Sequence, residues 1–180
     1  MMKWNLHQVD VKTTFLNCVI KEEVYIEQPQ GFEFEDRGTQ VCKLNKALYG
    51  LKQAPRSWYG RIDRFLTRMG FTKSKFDPNI YMKIMDEEPI ILLLYVDDLF
   101  LTRNEKHIIE SKKKLAEEFK MKDIGLMHYF LGLEVWQSPE RIFLNWGKYA
   151  IEILKRFDML DCKAMATPMD TNLKLLSDDT

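Results

Sequence analysis

Apolar residues recur along this chain with two different periods. Ile90-Ile91-Leu92-Leu93-Leu94-Tyr95-Val96 is a continuous apolar run, and Leu99-Phe100-Leu101 resumes directly after two acids. Short apolar runs bounded by turn residues read as buried strands. The pair is therefore a tight hairpin with Asp97 and Asp98 at its tip. Ile80 to Ile84 reads as a further strand, joined to the long run through the turn-prone Asp86-Glu87-Glu88-Pro89. Leu6 to Val11 and Val24 to Ile26 are short strands, the second ending at Pro29 before a Gly- and acid-rich loop to Thr39. Tyr129 to Trp136 and Ile142 to Leu144 form the last predicted hairpin.

Elsewhere the period lengthens to that of a helix. Trp58, Ile62, Phe65, Leu66 and Met69 share one face of a helix that Pro55 opens and Gly70 ends. A second helix spans about Glu105 to Phe119, with Ile108, Leu115 and Phe119 inward and Asn104 as its cap. A third lies near Lys148 to Phe157, and the tail after Ala164 is polar and loose. The predicted architecture is α+β, with helices packed on one face of an antiparallel sheet. No internal repeat or low-complexity linker divides residues 1–180, so they form a single domain.

The 46% hydrophobic and 12% aromatic content supports a folded globule. No apolar stretch reaches the ~20 residues of a membrane span, and the N-terminus lacks a signal-peptide run. Cys18, Cys42 and Cys162 lack metal-ligand spacing and read as reduced, intracellular thiols rather than those of a secreted protein. Net charge is zero, but unevenly spread. Lys43 to Lys75 holds nine Lys or Arg against one acid, whereas Lys21 to Arg37 holds six acids against two bases. A basic middle beside acidic clusters suits a protein that grips a polyanion; a solvated cationic helix face fits equally well.

Adjacent ionised Asp residues repel, so Asp97 and Asp98 resist dry burial without a cation. A divalent metal resolves that conflict, and metal-assisted phosphoryl transfer uses such clusters. A polar turn between two strands is the simpler account of the dipeptide alone. Asp10, near the end of the first strand, supplies a third hard oxygen donor.

The segments Asp10-Val11-Lys12-Thr13, Leu48-Tyr49-Gly50-Leu51-Lys52-Gln53-Ala54-Pro55-Arg56, Leu94-Tyr95-Val96-Asp97-Asp98 and His128-Tyr129-Phe130-Leu131-Gly132-Leu133-Glu134-Val135 resemble the reverse transcriptase of copia-type retrotransposon Pol polyproteins. The likeness runs from about Trp4 to Met169, and the Gly50 to Arg56 block is its most specific part. It implies a polymerase palm over residues 4–136, a thumb-like start over 147–169 and only partial fingers. It implies an RNA-directed DNA polymerase taking deoxynucleoside triphosphates, with an RNA or DNA template-primer as partner. It implies that Asp10, Asp97 and Asp98 are catalytic, and that with the Val11 carbonyl they bind two Mg²⁺ ions, or Mn²⁺. One ion would activate the primer 3′-hydroxyl, the other hold the triphosphate.

By the same resemblance Phe15 lies beneath the incoming sugar and Gln53 contacts nucleotide and template. Lys52 and Arg56 meet phosphate, Tyr95 flanks the primer end, and Lys122 donates a proton to pyrophosphate. Most have a plainer reading: a core aromatic for Phe15, a buried strand residue for Tyr95, and solvated surface cations for Lys52, Arg56 and Lys122. Two rivals remain beside the active enzyme. One is an inactive remnant binding nucleic acid through Lys52, Arg56, Arg61 and Arg64; the other is a different two-metal phosphotransferase, which the Gly50 to Arg56 block disfavours.

Overall fold

A computed structural model of the chain describes residues 4–33, 40–103, 105–138 and 140–166. Its strands are β1 (Asn5–Val11), β2 (Tyr25–Ile26), β3 (Cys42–Lys43), β4 (Thr72–Lys73), β5 (Ile80–Met85), β6 (Glu88–Tyr95), β7 (Asp98–Arg103), β8 (Met121–Leu126), β9 (Tyr129–Phe130), β10 (Leu133–Gln137) and β11 (Ile142–Asn145). The α-helices are α1 (Ala54–Arg68), α2 (Glu105–Glu118) and α3 (Gly147–Arg156). A six-stranded sheet runs in the order β4-β5-β6-β7-β1-β8, beside a three-stranded sheet β11-β10-β9 and the pair β2-β3. Every pairing within them is antiparallel. The architecture is α+β.

Alternation along the central strands decides which face is covered. Val9 and Val11 of β1, Ile90, Leu92 and Leu94 of β6, and Leu99 and Leu101 of β7 are buried in one cluster with Trp58, Ile62 and Leu66 of α1. Ile108 and Leu115 of α2 join the same cluster, and Phe119 sets its ring edge-on to Trp58 and Phe65 at 5.3 and 5.2 Å. Each such aliphatic side chain contributes about 1.5–3 kcal/mol by leaving water. Both helices thus cover one face. The opposite face is capped at one end by a smaller cluster, Phe100, Met127 and Val135 with Leu6, Leu93 and Phe130, which docks the β9–β10 hairpin.

The helix expected from Pro55 starts one residue earlier and stops where Gly70 predicts. Gly70, at φ 87°, donates to the Thr67 carbonyl, and Phe71 donates to Leu66 at 3.0 Å. This double closure satisfies carbonyls that the helix end leaves open, and buried Phe71 seals it. The turn after β5 is tighter than Asp86-Glu87-Glu88-Pro89 implied. Asp86 and Glu87, both at positive φ, make it alone, and Glu88 and Pro89 enter β6. Pro89 is tolerated because the β6–β7 register begins only at Ile91, so no ladder bond to β7 is lost. Strand β8 was not expected. Asn104, residues 34–39 of the acid-rich loop and the tail from 167 lie outside the described residues.

Candidate active site

Residues whose neighbours in β1 are buried point the other way. Asp10 lies between Val9 and Val11, and its partner across the β1–β7 ladder is Asp98. Directly opposite residues of an antiparallel pair project from the same face, with Cα atoms about 4.5–5.5 Å apart. Asp97 is the second residue of the two-residue turn between β6 and β7, and its carbonyl accepts the Val11 N–H at 2.8 Å. Backbone hydrogen bonding therefore brings residues 10, 97 and 98 to one end of the sheet.

Their side chains are individually held. Gln8, two residues before Asp10, donates its Nε2 to Asp98 Oδ1 at 2.9 Å. The Tyr49 hydroxyl donates to Asp97 Oδ2 at 3.4 Å. Burial pushes the Asp98 carboxyl above the usual carboxylate range; the Gln8 bond opposes this, and the charges of Asp97 and Asp10 add to it. Burial likewise raises the Tyr49 phenol, reinforced by the charges of Asp97 and Asp10. The three acids therefore feel one another. Among the described residues, however, no three His, Cys, Asp or Glu side chains converge as a ready-made metal site. Asp97 and Asp98 are each held by a neutral donor, Tyr49 and Gln8 respectively. In kind the donor set fits a hard divalent cation, being carboxylates and carbonyls at a solvent-facing sheet end. The Val11 carbonyl already accepts the buried Thr14 hydroxyl at 2.7 Å, leaving it a second lone pair.

The turn carrying the acids is strained. Val96 has φ 52°, a left-handed conformation that a β-branched residue enters only at a cost of about 1–3 kcal/mol. A two-residue turn with positive φ at its first position normally recruits glycine there. The Trp58 indole N–H, reaching from α1, donates to the Val96 carbonyl at 2.6 Å.

Residues 1–171 match the family described as reverse transcriptase (RNA-dependent DNA polymerase). The chain belongs to the reverse transcriptase family. It is 42% identical over 174 residues to the retrovirus-related Pol polyprotein of transposon TNT 1-94 from Nicotiana tabacum, covering 94% of this chain and 13% of that protein. It is 39% identical over 176 residues to the Pol polyprotein of transposon RE2 from Arabidopsis thaliana, covering 96% and 12% respectively. A putative transposon Ty5-1 protein of Saccharomyces cerevisiae is 33% identical over 163 residues, covering 89% of this chain and 53% of that one. The chain thus spans about 12–13% of the length of these two plant Pol polyproteins. The likeness to copia-type Pol polyproteins seen in the motifs is the one these relatives carry.

The remaining positions singled out in this reverse transcriptase chain fall into three groups. Phe15 is buried in a 3₁₀ turn over Thr14–Asn17, its ring centroid 4.4 Å from that of Tyr49. It is a core aromatic and at the same time lines a pocket of about 260 Å³ with Pro55, Trp58, Tyr95 and Val96. Gln53 sits at the N-cap of α1 and accepts the Ser57 N–H with its carbonyl; Lys52 and Arg56 beside it are exposed. Lys122, exposed on β8, is the cross-strand partner of Asp10. Tyr95 departs from the buried strand residue expected: it is 42% exposed, with its ring edge-on to Phe130 at 5.3 Å. It ends β6 opposite Asp98, and alternation turns it to the face away from buried Leu94.

The cationic face of α1 is also partly committed. Arg61 pairs with Glu118 of α2 at 3.0 Å and stacks over Phe119, so it ties helix to helix on the covered side of the sheet. Sequence reasoning passed over Gln8, Tyr49 and the polar atom of Trp58. For Tyr49 a signal existed: it precedes Gly50, whose φ of 90° folds the loop back toward the acids.

Proposed function

We propose that the chain is the catalytic palm portion of a copia-type reverse transcriptase, adding deoxynucleotides to a primer 3′-hydroxyl under the direction of an RNA or DNA template. The observation that carries this reading is the register that sets Asp10 opposite Asp98, next to Asp97 on a strained turn. Asp10 and Asp97 would hold two Mg²⁺ ions, or Mn²⁺, with Asp98 more peripheral and the Val11 carbonyl assisting. Bound there, such ions stabilise negative charge on the attacking and leaving oxygens.

The protein's own groups do the rest. Phe15 closes the floor of the sugar pocket, where a 2′-hydroxyl would collide with its ring. Gln53 at the head of α1 touches nucleotide and template, while Lys52 and Arg56 hold phosphate. Tyr95 lies along the primer end, and Lys122, beside Asp10, returns a proton to pyrophosphate. Residues 4–136 make the palm and 147–169 begin a thumb. The enzyme works inside the cell, in a cytoplasmic particle or the nucleus, and among the described residues no helix is long and apolar enough to cross a membrane.

Primer extension with Mg²⁺ or Mn²⁺ is the test. Asp10→Asn and Asp97→Asn are expected to lower the rate by about 10²–10³-fold or more. Intact protein that extends no primer under either metal overturns the active reading. A second reading, an inactive remnant that binds nucleic acid, is favoured by Asp97 and Asp98 being turned to Tyr49 and Gln8. Its mark is binding that weakens steeply with salt in the absence of synthesis.

A further inference from the structure

We infer that Trp58 is a positioning residue of the acidic turn: its indole N–H holds the Val96 peptide in the left-handed conformation that keeps Asp97 and Asp98 beside Asp10 at the end of the sheet. The inference rests on the proposed role of those acids, but its geometry stands independently. Trp58 is 2% exposed and its ring is fixed by the edge-on contact with Phe119. It is therefore a rigid arm from α1, and its one polar atom ends on the carbonyl of the strained residue. Nothing comparable clamps Val96 by packing, for its side chain is half-exposed and borders the pocket of about 260 Å³ shared with Phe15 and Tyr95. The turn thus has room to relax toward an unstrained peptide. Relaxation would move the next peptide, whose carbonyl receives the Val11 N–H, and so part residues 97–98 from residues 10–11.

A tryptophan that merely filled the core would be replaceable by another aromatic ring of similar shape. Trp58→Phe keeps a ring and removes the N–H; 3-benzothienylalanine at position 58 keeps the full bicyclic shape and removes only the N–H. Two readouts apply to the purified chain: hydrogen exchange of the Val11 amide, with Leu92 as a core control, and Mn²⁺ affinity by electron paramagnetic resonance. Loss of one such hydrogen bond is expected to cut Val11 protection and Mn²⁺ affinity by up to about ten-fold, with Leu92 unchanged. Val96→Gly adopts the same turn without strain, so in that background both replacements should lose most of their effect.

Equal loss of protection at Val11 and Leu92, or full additivity with Val96→Gly, overturns the inference and leaves Trp58 a packing residue. Unchanged exchange and unchanged Mn²⁺ affinity in the benzothienylalanine protein also overturn it. A wild-type chain that binds no Mn²⁺ sinks the metal reading instead, and the exchange comparison then decides the turn's anchoring alone.

Discussion

The two larger sheets of this protein are both antiparallel, yet different forces hold them. The six-stranded sheet buries one face under α1 and α2, with Leu92, Leu99, Leu101, Ile62 and Leu66 wholly removed from water. The β9–β10–β11 sheet buries only Val135 among its strand residues, and α3 beside it has no buried side chain. Trp136, Phe143, Leu144 and Tyr149 are all exposed. Similar β-forming composition therefore gives opposite packing, because burial depends on having a second layer to meet. Stability is concentrated in the first region. It is given up locally at that region's acidic end, where like charges and a left-handed valine are kept side by side.

The sharpest way to break the comparison is to open a cavity in the covered sheet. Leu101→Ala is expected to lower unfolding free energy by about 2–5 kcal/mol in urea titration; a loss no larger than that of a surface change would place the core elsewhere. Next comes the acidic end. If Asp10, Asp97 and Asp98 hold Mg²⁺, the ion at a hundred times its dissociation constant should stabilise the fold by about 2.7 kcal/mol. A melting temperature indifferent to Mg²⁺ would remove that assignment.

Asp98→Asn should stabilise the metal-free chain by up to about 1 kcal/mol after solvent screening, since it removes a charge that burial disfavours and that Asp97 and Asp10 repel. The pH dependence follows from the same displacement. The folded Asp98 carboxyl titrates above its ordinary value, so the folded state binds the proton more tightly. Its contribution is full below the ordinary carboxylate value and is lost as pH rises through the raised one. The advantage of Asp98→Asn should therefore grow in denaturation curves as pH rises from the ordinary carboxylate value through the raised one. The smallest effect belongs to the second sheet: Phe143→Ser, on exposed β11, should change stability by no more than about 0.5 kcal/mol. A larger loss would show that this sheet carries its own core.

Much of this was legible in the residues. The apolar run to Val96 and its continuation at Leu99 became β6 and β7, and the Pro55 to Gly70 signals bounded α1. Strand β8 was not legible, because Met121–Leu126 mixes Lys122, Asp123 and Gly125 with no alternation and stays mostly exposed. It is an edge strand, and charges on an edge discourage pairing with other chains while hiding the strand period. Its pairing with β1 also shifts register between Gln8 and Val9, which no local pattern announces. Gln8, Tyr49 and Trp58 escaped for a related reason: their polar atoms matter through partners 38 to 90 positions away.

Sequence alone settled where the long apolar strands and the three helices lie, and which motifs place the chain among reverse transcriptases, because periodicity and short motifs are local properties. Only the tertiary structure decided that Asp10 faces Asp98, that Tyr49 and Gln8 occupy carboxylates, and that Val96 is left-handed under the indole of Trp58. Register and turn handedness come from the sum of non-local pairings across the sheet and from the helix laid against it, and no window along the chain contains that sum.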